Sequence, residues 1–380
     1  MKQTLFSSDF RLGILGGGQL GKMMLYTTRK WDVQTYVMDE DDTAPAFEGC
    51  TVFFEGDIMD YEAVMEFGRQ VDVLTIEIEN VNVQALEDLE AEGIAVSPSA
   101  SVLNRIRNKA RQKTFYKEQG IPTADFQLFP QPEINHNRSY PFIWKSAEGG
   151  YDGKGVKVIR STADLNDLPA QECIYEDMVD FEMELAVIVA RNADGDIKTY
   201  PVVEMEFHPE ANQVEYVICP ARVTDAVSRK ARDLALKVSE AFEHVGLLAV
   251  ELFLTKNGEI LVNEVAPRPH NSGHYSIEGA VTDQFEQHVR CVLNLPLGST
   301  DTVLPAVMVN LVGAEGYIGN VIYDGIEDIL AMDGVTPHIY GKKQTRPFRK
   351  MGHVTVVAKE IETARKLAEE VKAKIKVVSS

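Results

Sequence analysis

Long apolar segments are missing from this sequence. Its 380 residues contain no run of about 18 uncharged apolar residues, the length that a membrane-spanning helix needs. The first residues also lack the apolar core of a secretory signal peptide. We therefore predict a soluble protein that has no membrane partner.

Cysteine is scarce, and histidine forms no metal-binding pattern. The four cysteines, Cys50, Cys173, Cys219 and Cys291, show no CxxC or other close spacing, so no disulfide framework is indicated. The eight histidines form no HExxH pattern, which leaves zinc chemistry without support. We predict reduced thiols and a cytoplasmic location.

The sequence has fewer positively charged residues than negatively charged ones. The chain has 38 Lys and Arg against 58 Asp and Glu, which gives a formal net charge of -20 at pH 7. Such an acidic protein repels both the phosphate backbone of nucleic acids and anionic lipid surfaces. We therefore predict that nucleic acid and membrane surfaces are not partners of this protein.

The N-terminal part alternates short apolar strands with helical stretches. The strands are RLGIL, QTYVMD, VDVLTIEIE and IAV, and helices are expected after a glycine-rich turn and near Tyr61 and Val83. This alternation is typical of βαβ units, in which crossover helices join parallel strands. We therefore predict an α/β domain with a parallel sheet.

The rest of the chain changes character several times. A basic helical segment, NRIRNKARQKTFYKEQ, ends at Gly120 and Pro122 and is interpreted as a domain boundary. Residues 141–203 are rich in β-branched and aromatic residues, which predicts a small antiparallel unit. Helices are predicted over 225–244 and 282–293. In the C-terminal module, GHVTVVAK predicts a strand and IETARKLAEEVKAKI an amphipathic helix.

The segment LLAVELFLTKNGEILVNEVA predicts a β-hairpin that places two carboxylates opposite each other. Asn257-Gly258 is a strong signal for a two-residue turn, in which Lys256 pairs with Glu259. Counting back along both strands sets Glu251 opposite Glu264, with Cβ atoms about 5 Å apart. Two ionised carboxylates would then repel by about 3 kcal/mol at an effective dielectric constant of about 20. A divalent cation between the two carboxylates would turn this repulsion into a net attraction. Mg²⁺ prefers such oxygen ligands.

The surroundings of the two glutamates favour a metal site. Four apolar residues are expected on the same strand face, Ala249, Phe253, Val262 and Ala266. They indicate partial burial of the carboxylates. The alternative is an exposed hairpin face on which both carboxylates are solvated, or on which they share a proton.

Two glycine-rich segments could bind phosphate, and the first spans residues 16–21 (GGGQLG). It follows a strand, and Asp39 ends the next strand at the spacing of a ribose-binding acid. This pattern fits a dinucleotide site, but it also fits a tight strand-to-helix turn in any α/β domain. Nothing downstream resembles a hydride-transfer site, so an NAD-dependent dehydrogenase stays as an alternative.

The second glycine-rich segment, residues 149–155 (GGYDGKG), lies between two strand-like runs, and Lys145 is near the end of the first. No helix follows and no Ser or Thr succeeds Lys154, so the segment is not a Walker loop. A glycine-rich hairpin can fold over phosphates and offer its N–H groups, while Lys145 and Lys154 add positive charge. The alternative is a flexible hairpin tip.

Three further segments carry polar residues in suggestive patterns. In CIYEDMVDFEMELAV, residues 176–179 could form a hinge that binds adenine, or an exposed acidic loop. Arg268 and His270 directly follow the acidic hairpin, where they could hold a small anion and move a proton, or decorate a proline-stiffened loop. A basic cluster near the C-terminus could trap an anion or form a solvated face. It consists of Lys342, Lys343, Arg346, Arg349 and Lys350.

Taken together, these segments resemble the ATP-grasp ligases. The motifs GGGQLGKM, GGYDGKG, NEVAPRPHNSGHY and RKMGHV occur in this order from Gly16 to Val354, and their combination is similar to the 5-(carboxyamino)imidazole ribonucleotide synthetase family of purine biosynthesis. The resemblance implies an α/β and α+β fold with a three-domain ATP-grasp architecture. It would comprise a Rossmann-like pre-ATP-grasp domain over 1–108, an ATP-grasp domain over 109–298 with a mobile flap subdomain at about 120–185, and a small C-terminal domain over 299–380.

The resemblance also implies roles for individual residues. ATP would be bound by Lys109, Lys145, Gly150, Tyr151, Asp152, Gly153, Lys154, Gly155, Val156, Glu176, Asp177, Met178, Val179, Glu184, His208, Asn263 and Glu264. The nucleotide substrate would be bound by Glu79, Tyr151, Asp152, Asn271, Ser272, Lys342, Arg349 and Lys350. Arg268, His270 and Lys154 would be catalytic, and Glu251 and Glu264 would hold Mg²⁺ or Mn²⁺.

Two positions depart from the pattern of similar chains. Lys109 stands where relatives often carry Arg, so its contact with the nucleotide is expected to be less bidentate. Ala266 stands two residues after Glu264, where other ATP-grasp ligases often have a metal-binding Asn. A second magnesium is therefore expected to depend more on water.

The implied activity is ATP- and bicarbonate-dependent carboxylation of the exocyclic amine of 5-aminoimidazole ribonucleotide. It would proceed through carboxyphosphate and release ADP and phosphate, without biotin. The resemblance further implies a homodimer, and a transient hand-off of product to the following mutase is considered. Alternatives within the class are formate-dependent glycinamide ribonucleotide transformylase and biotin carboxylase. Outside it, the dehydrogenase and a non-catalytic nucleotide sensor remain.

Overall fold

The structure is a computed structural model that describes residues 5–134, 137–149, 155–209 and 213–380. Five residues of the predicted phosphate-binding loop lie outside the described residues: Gly150, Tyr151, Asp152, Gly153 and Lys154. Among the described residues, no helix is both long and apolar enough to cross a membrane.

The N-terminal part is a parallel α/β layer, which confirms the βαβ prediction. Its strands are β1 (Arg11–Leu15), β2 (Gln34–Asp39), β3 (Val52–Glu55), β4 (Val73–Ile76) and β5 (Ala95–Ser97), in the order β3-β2-β1-β4-β5. Its helices are α1 (Gln19–Lys30), α2 (Tyr61–Gly68) and α3 (Val83–Ala91). The strand order reverses between β1 and β4, so a crevice opens at their carboxyl ends. The sequence analysis missed β3, because four residues are too short to show a period.

The predicted basic helical segment is two helices rather than one. Helix α4 (Ala100–Ile106) ends before Asn108, and α5 (Lys109–Glu118) begins directly after it. Asn108 has extended backbone angles and its Oδ1 accepts a hydrogen bond from the N–H of Arg111 at 3.0 Å. An asparagine in this capping position starts a new helix, and the break makes Lys109 the first residue of α5.

A small antiparallel sheet follows, as predicted for this region. Its strands are β6 (Phe126–Phe129), β7 (Phe142–Ser146), β8 (Val156–Ile159) and β9 (Cys173–Asp177), in the order β6-β9-β7-β8. Three buried aromatic residues, Phe142, Trp144 and Tyr175, fill one face. Strands β7 and β9 are antiparallel neighbours that set Lys145 opposite Ile174 and Glu176 opposite Ile143. Lys145 and Glu176 are therefore diagonal neighbours on the same face of the sheet.

A nine-stranded sheet forms the largest layer of the molecule. Its strands are β10 (Phe181–Arg191), β11 (Ile197–Thr199), β12 (Val203–Phe207), β13 (Val214–Cys219), β14 (Gly246–Thr255), β15 (Ile260–Ala266), β16 (Ala306–Val312), β18 (Val335–Ile339) and β20 (Lys350–Val357). Helices α6 (Asp225–Phe242), α7 (Ser276–Gly279) and α8 (Gln284–Val292) belong to the same region. The apolar face of α6 packs on β14 and β15 through Ala231, Ala235 and Val238. The opposite face of these two strands is therefore left for the functional site.

The C-terminal part extends the large sheet rather than standing apart from it. Strand β16 pairs with β13 on one side and with β20 on the other, so β13 does not expose an unpaired edge. A separate three-stranded sheet holds β17 (Gly319–Asp324), β19 (Gln344–Thr345) and β21 (Lys376–Ser379). Helices α9 (Ile326–Leu330) and α10 (Ile361–Lys374) complete this part. The predictions of a strand at GHVTVVAK and a following amphipathic helix are confirmed.

Candidate active site

A cleft of about 960 Å³ lies where the three parts of the chain meet. It is bounded by the carboxyl end of β4, by α5, by the β14–β15 hairpin and by the start of β20. Eight predicted site residues line it: Glu79, Lys109, Glu251, Glu264, Arg268, His270, Asn271 and Lys350. Segments far apart in the sequence therefore converge on one site.

The hairpin turn differs from the prediction. Thr255, not Lys256, pairs with Glu259, because the Thr255 N–H donates to the Glu259 carbonyl at 2.9 Å. The loop consequently has three residues, with Gly258 at φ 76°. A three-residue loop with glycine in the left-handed region is a common alternative to the two-residue turn. By itself this change would shift the strand register by one residue.

A β-bulge in the hairpin corrects that shift. Leu252 pairs with Val262, and Val250 pairs with Val265, so Glu251 faces two residues of β15 instead of one. Val262 and Val265 both enter the core beneath α6. The two residues between them, Asn263 and Glu264, therefore both turn toward the cleft. The prediction that Val262 shares the face of the glutamates was wrong. The carboxylates nevertheless face each other, because the bulge turns the Glu264 side chain to the same side as Glu251.

A protein cation already pairs with one of these two carboxylates. Lys109 Nζ contacts Glu264 Oε2, and this ammonium is the main reason that the pKa of Glu264 lies below its ordinary value. Glu251 Oε1 lies 3.5 Å from His270 Nε2. Burial, followed by the charge of Glu264, raises the pKa of Glu251. At an effective dielectric constant of about 20, opposite unit charges about 4 Å apart attract each other by about 4 kcal/mol, and like charges repel each other by the same amount.

The oxygen ligands fit a divalent cation that is shared with phosphate. Glu251 and Glu264 supply carboxylates, and Asn263 supplies an amide oxygen from the same strand face. No cluster of three or more His, Cys, Asp or Glu residues suited to a metal occurs among the described residues. Mg²⁺ commonly takes one or two carboxylates and completes its shell with water and substrate phosphate. The arrangement therefore matches magnesium better than a fully protein-bound metal.

A buried triad of two lysines and a glutamate lies beside this group. Glu176 Oε2 binds Lys145 Nζ at 2.6 Å, and its Oε1 binds Lys113 Nζ at 2.7 Å. Burial would raise the pKa of Glu176, but the two ammonium groups outweigh burial and lower it to about 2. Lys145 Nζ also donates to Asn263 Oδ1 at 3.1 Å, which links the small sheet to the hairpin. Sequence analysis missed Lys113, although it lies four residues after Lys109 on the same face of α5.

The predicted hinge lies between the two sheets. Strand β9 ends at Asp177, and β10 begins at Phe181, so Met178 and Val179 form the connection. The Met178 side chain is exposed. Glu184 follows on β10, where burial raises its pKa to about 7. The hinge prediction is compatible with this placement, although the Glu176 side chain points into the lysine pair.

The segment after the hairpin forms a network of polar contacts. Arg268 Nε lies 2.9 Å from Glu79 Oε1, which joins this segment to the carboxyl end of β4. His270 Nδ1 is 2.9 Å from Ser272 Oγ. Asn271 and Asn310 exchange two amide hydrogen bonds of 2.9 and 2.8 Å. The buried Ser272 hydroxyl thus contacts the His270 ring, and its implied role in binding the substrate stays a prediction.

The first glycine-rich segment does not offer a vacant phosphate site. The Gly18 and Gly21 N–H groups donate to the two carboxylate oxygens of Glu77, both at 2.8 Å, and the Gly17 N–H donates to Asp39 Oδ2 at 2.5 Å. A Cβ atom on Gly18 would lie 2.2 Å from Glu77 Oε1, so glycine is required for this contact. A dinucleotide would have to displace a buried carboxylate, which argues against the dehydrogenase alternative.

Of the basic cluster, Lys350 lines the cleft, whereas Lys342, Lys343, Arg346 and Arg349 do not. Lys342 Nζ donates to the Lys350 carbonyl at 2.9 Å, and Arg349 Nη1 donates to the Gln344 carbonyl at 2.6 Å. These contacts fold the segment back on itself, so several positive charges gather beside the site.

Two other predicted ATP residues occupy distinct surroundings. His208 lines a second cavity of about 390 Å³ together with Asn310 and Phe348. Gly155 has φ 73°, and its carbonyl accepts from the Ser146 N–H at 2.8 Å, so it closes the described base of the glycine hairpin next to Val156. The ATP roles of these residues stay predictions.

An acidic hairpin from a large sheet that faces lysines from a helix and a smaller sheet defines an ATP-grasp enzyme. The family model described as ATP-grasp domain matches residues 114–285. The model described as ribonucleotide synthetase preATP-grasp domain matches residues 10–107, and the phosphoribosylaminoimidazole carboxylase C-terminal domain matches residues 306–367. The ATP-grasp prediction is thereby confirmed.

Individual relatives narrow the family. The N5-carboxyaminoimidazole ribonucleotide synthase of Bacillus subtilis is 38% identical over 353 residues, 90% of this chain and 90% of the relative. The crystal structure of N5-carboxyaminoimidazole ribonucleotide synthetase from Thermotoga maritima is 44% identical with a TM-score of 0.91, covering 98% of this chain and 100% of that one. An Aspergillus clavatus synthase in complex with ADP and 5-aminoimidazole ribonucleotide is 32% identical with a TM-score of 0.86, covering 96% and 98%. The chain belongs to the N5-carboxyaminoimidazole ribonucleotide synthase family.

Proposed function

We propose that this protein carboxylates 5-aminoimidazole ribonucleotide in purine biosynthesis, using ATP and bicarbonate. The observation that carries the proposal is the single cleft shared by the Glu251–Glu264 pair, Arg268, His270 and Lys350. It places residues suited to a metal-bound triphosphate next to residues suited to an anion and a sugar phosphate. The family to which the chain belongs supports the same reaction.

The nucleotide would lie between the two sheets. Lys109 and Lys145 provide ammonium groups for its phosphates. The hinge over 176–179 provides backbone groups for adenine, and Glu184 accepts ribose hydroxyls. Glu251 and Glu264 would hold Mg²⁺, with Mn²⁺ as a substitute, and the bound metal would neutralise charge on the transferred phosphoryl group.

The proposed chemistry has two steps. A bicarbonate oxygen attacks the γ-phosphorus, the bond to the β-phosphate oxygen breaks, and ADP leaves with carboxyphosphate formed. The exocyclic amine then attacks the carboxyl carbon, directly or after CO₂ is released, and phosphate leaves. Arg268 holds the anion, while His270, oriented by Ser272, takes up the proton of the amine. Carboxyphosphate reacts with water, so the cleft must close during the reaction.

The imidazole nucleotide would lie toward the N-terminal sheet and the basic cluster. Glu79 and Asn271 contact its ribose and base side. Lys342, Arg349 and Lys350 gather positive charge for its 5′-phosphate. The glycine hairpin over 150–154, with catalytic Lys154, is proposed to cover both ligands.

The decisive experiment measures ADP release with each candidate substrate omitted in turn. Release that requires both bicarbonate and 5-aminoimidazole ribonucleotide is expected. Release with formate and glycinamide ribonucleotide would favour the related transformylase, and release with bicarbonate and biotin would favour biotin carboxylase. ATP binding without ADP release under any of these conditions would favour a non-catalytic nucleotide sensor.

Assembly and cellular context form a second group of proposals. We propose a cytoplasmic homodimer that passes its unstable product to the following mutase, as the family resemblance implies. Light scattering of the purified protein tests the dimer, and a mass of 42.3 kDa would show a monomer instead. The division into domains at 108/109 and 298/299 is likewise proposed, and limited proteolysis tests it.

A further inference from the structure

Lys109 and the expected magnesium would use the same carboxylate. Lys109 Nζ contacts Glu264 Oε2, and the lysine side chain is only 18% exposed, so its ammonium is held within the cleft. Glu264 is also one of the two carboxylates that fit a divalent cation. A divalent metal and an ammonium next to one carboxylate repel each other, and the repulsion is stronger in a partly desolvated cleft than in water.

A second ammonium lies close to Glu264. Lys145 Nζ binds Glu176 and also Asn263, the residue next to Glu264. Glu264 thus has protein cations nearby before any ligand binds, whereas Glu251 has the His270 imidazole at 3.5 Å. A metal ion that arrives alone would have to lose water and also displace an ammonium, and Mg²⁺ loses water reluctantly.

A triphosphate changes this balance, because it brings several negative charges at once. The Lys109 ammonium can then move from Glu264 to a phosphate oxygen while the metal takes its place on the carboxylate. Lysine suits such an exchange, since its charge is compact and sits on a flexible four-carbon stem. Metal and nucleotide would then strengthen each other's binding reciprocally.

We propose that Lys109 is the resident cation of Glu264 in the nucleotide-free enzyme and excludes divalent metal until nucleotide phosphates draw its ammonium away. The proposal rests on the proposed ATP and magnesium site and adds an order of events to it. Metal enters together with nucleotide, and the protein avoids a metal-loaded state without nucleotide.

The first test measures Mn²⁺ binding without nucleotide, from the electron paramagnetic resonance signal of free Mn²⁺. Lys109→Met is expected to bind Mn²⁺ at least about tenfold more tightly than wild type, because the competing ammonium is gone. Lys109→Arg keeps a cation on Glu264 and is expected to stay close to wild type.

Lys113→Met is the matched control. Lys113 lies one helical turn from Lys109 on α5 and is bound to Glu176 instead of Glu264. Lys113 contacts Glu176 and not Glu264, so no ammonium competes directly with the metal there, and its removal is expected to raise Mn²⁺ affinity by less than about threefold. An equal gain in Lys113→Met would reveal a general effect of lost positive charge and would overturn the proposal. Unchanged affinity in Lys109→Met would overturn it as well.

A reciprocal test measures ADP binding by calorimetry in the presence of a metal chelator. Glu264→Gln releases Lys109 and removes a negative charge, so metal-free ADP is expected to bind at least about threefold more tightly than to wild type. Misfolding would weaken binding, so it cannot imitate this gain, and unchanged or weaker binding contradicts the exchange.

Both tests record binding alone, which separates this inference from the proposed function. A protein that shows the exchange but no bicarbonate-dependent ADP release would refute only the reaction. The reverse outcome would refute only the exchange.

Discussion

At the scale of single residues, the cleft is built from charges that have specific partners. Lys109 contacts Glu264, Arg268 lies beside Glu79, and Glu176 lies between two lysines. Buried ion pairs of this kind contribute little net stability compared with apolar packing. Removing one partner is costly, because the other charge is left without compensation. We therefore interpret these pairs as devices that position groups for ligands.

The role of Glu264 can be tested by Glu264→Gln. The substitution keeps the shape of the side chain and removes one metal-binding charge, so magnesium-dependent turnover is expected to fall by at least about 100-fold. Because the Glu264 side chain is 40% exposed, water can solvate the Lys109 ammonium that it leaves unpaired, and the thermal unfolding midpoint is expected to fall by only a few degrees. Turnover measured against magnesium concentration checks this prediction, and wild-type rates at low magnesium would contradict it.

Glu176 gives a prediction about stability and pH. Its pKa in the folded protein is about 2, below the ordinary 4.5, so the ionised carboxylate stabilises the fold above about pH 4.5. This stabilisation is lost as the pH falls from about 4.5 to about 2. Glu176→Gln is therefore expected to reduce the unfolding free energy by about 3 kcal/mol at pH 7, and by less at pH 3.5.

Urea unfolding of wild type and Glu176→Gln at both pH values measures that difference. Asp180→Asn is the control, because the nearby Asp180 carboxylate is 77% exposed and pairs with Lys256, which is 62% exposed. Its loss is expected to cost less than about 1 kcal/mol. A difference in unfolding free energy between wild type and Glu176→Gln that does not change with pH would contradict the lowered pKa of Glu176.

At the scale of secondary-structure elements, irregularities place the functional groups. The bulge between β14 and β15 turns Asn263 and Glu264 to one face, whereas a regular ladder would send them to opposite faces. The break between α4 and α5 likewise makes Lys109 a first-turn residue. Each irregularity removes some regular backbone hydrogen bonds and sets the orientation of a functional side chain.

The helix break predicts the effect of Asn108→Ala. Asn108 also donates hydrogen bonds from Nδ2 to Glu148 and Glu172 at 3.2 and 3.1 Å, so its loss is expected to reduce the unfolding free energy by about 2–3 kcal/mol. Because Lys109 follows the cap directly, the KM for ATP is also expected to rise. Ser99→Ala is the control for the loss of a helix cap, since the Ser99 side chain caps α4. It is expected to lose about 1 kcal/mol with an unchanged KM, so a rise of the KM in both variants would contradict the prediction.

At the scale of the whole molecule, the site exists only because three regions of the chain meet. The N-terminal sheet contributes Glu79, the large sheet contributes Glu251, and the C-terminal part contributes Lys350. Strand β16 carries Asn310, whose amide exchanges two hydrogen bonds with Asn271 and also donates to the Val214 carbonyl at 2.8 Å. The C-terminal part is thereby connected to the segment that carries His270.

This connection predicts the effect of Asn310→Ala. The Asn271 amide would lose both hydrogen bonds to Asn310, and each such bond contributes about 0.5–1.5 kcal/mol net. We expect the KM for the imidazole nucleotide to rise by about tenfold, which corresponds to 1.4 kcal/mol. The KM for ATP is expected to change little. Steady-state kinetics with each substrate varied checks this, and a rise for ATP alone would contradict it.

Much of the fold could be predicted from the sequence, because its signals are local. The βαβ alternation, the strand GHVTVVAK and the helix over 361–374 follow from the periodicity of apolar residues. Glycine and asparagine mark the turns. The break at Asn108 and the short strand β3 were missed, since neither interrupts the local pattern for long enough.

The candidate site was anticipated only in part. Composition and motif order determined the family and eight of the residues that line the cleft. The tertiary structure alone decided that Glu251 faces both Asn263 and Glu264, that Lys113 completes the Glu176 pair, and that Glu77 fills the glycine turn. These features depend on strand register and on contacts between segments far apart in the chain, and such contacts leave no periodic trace in the sequence.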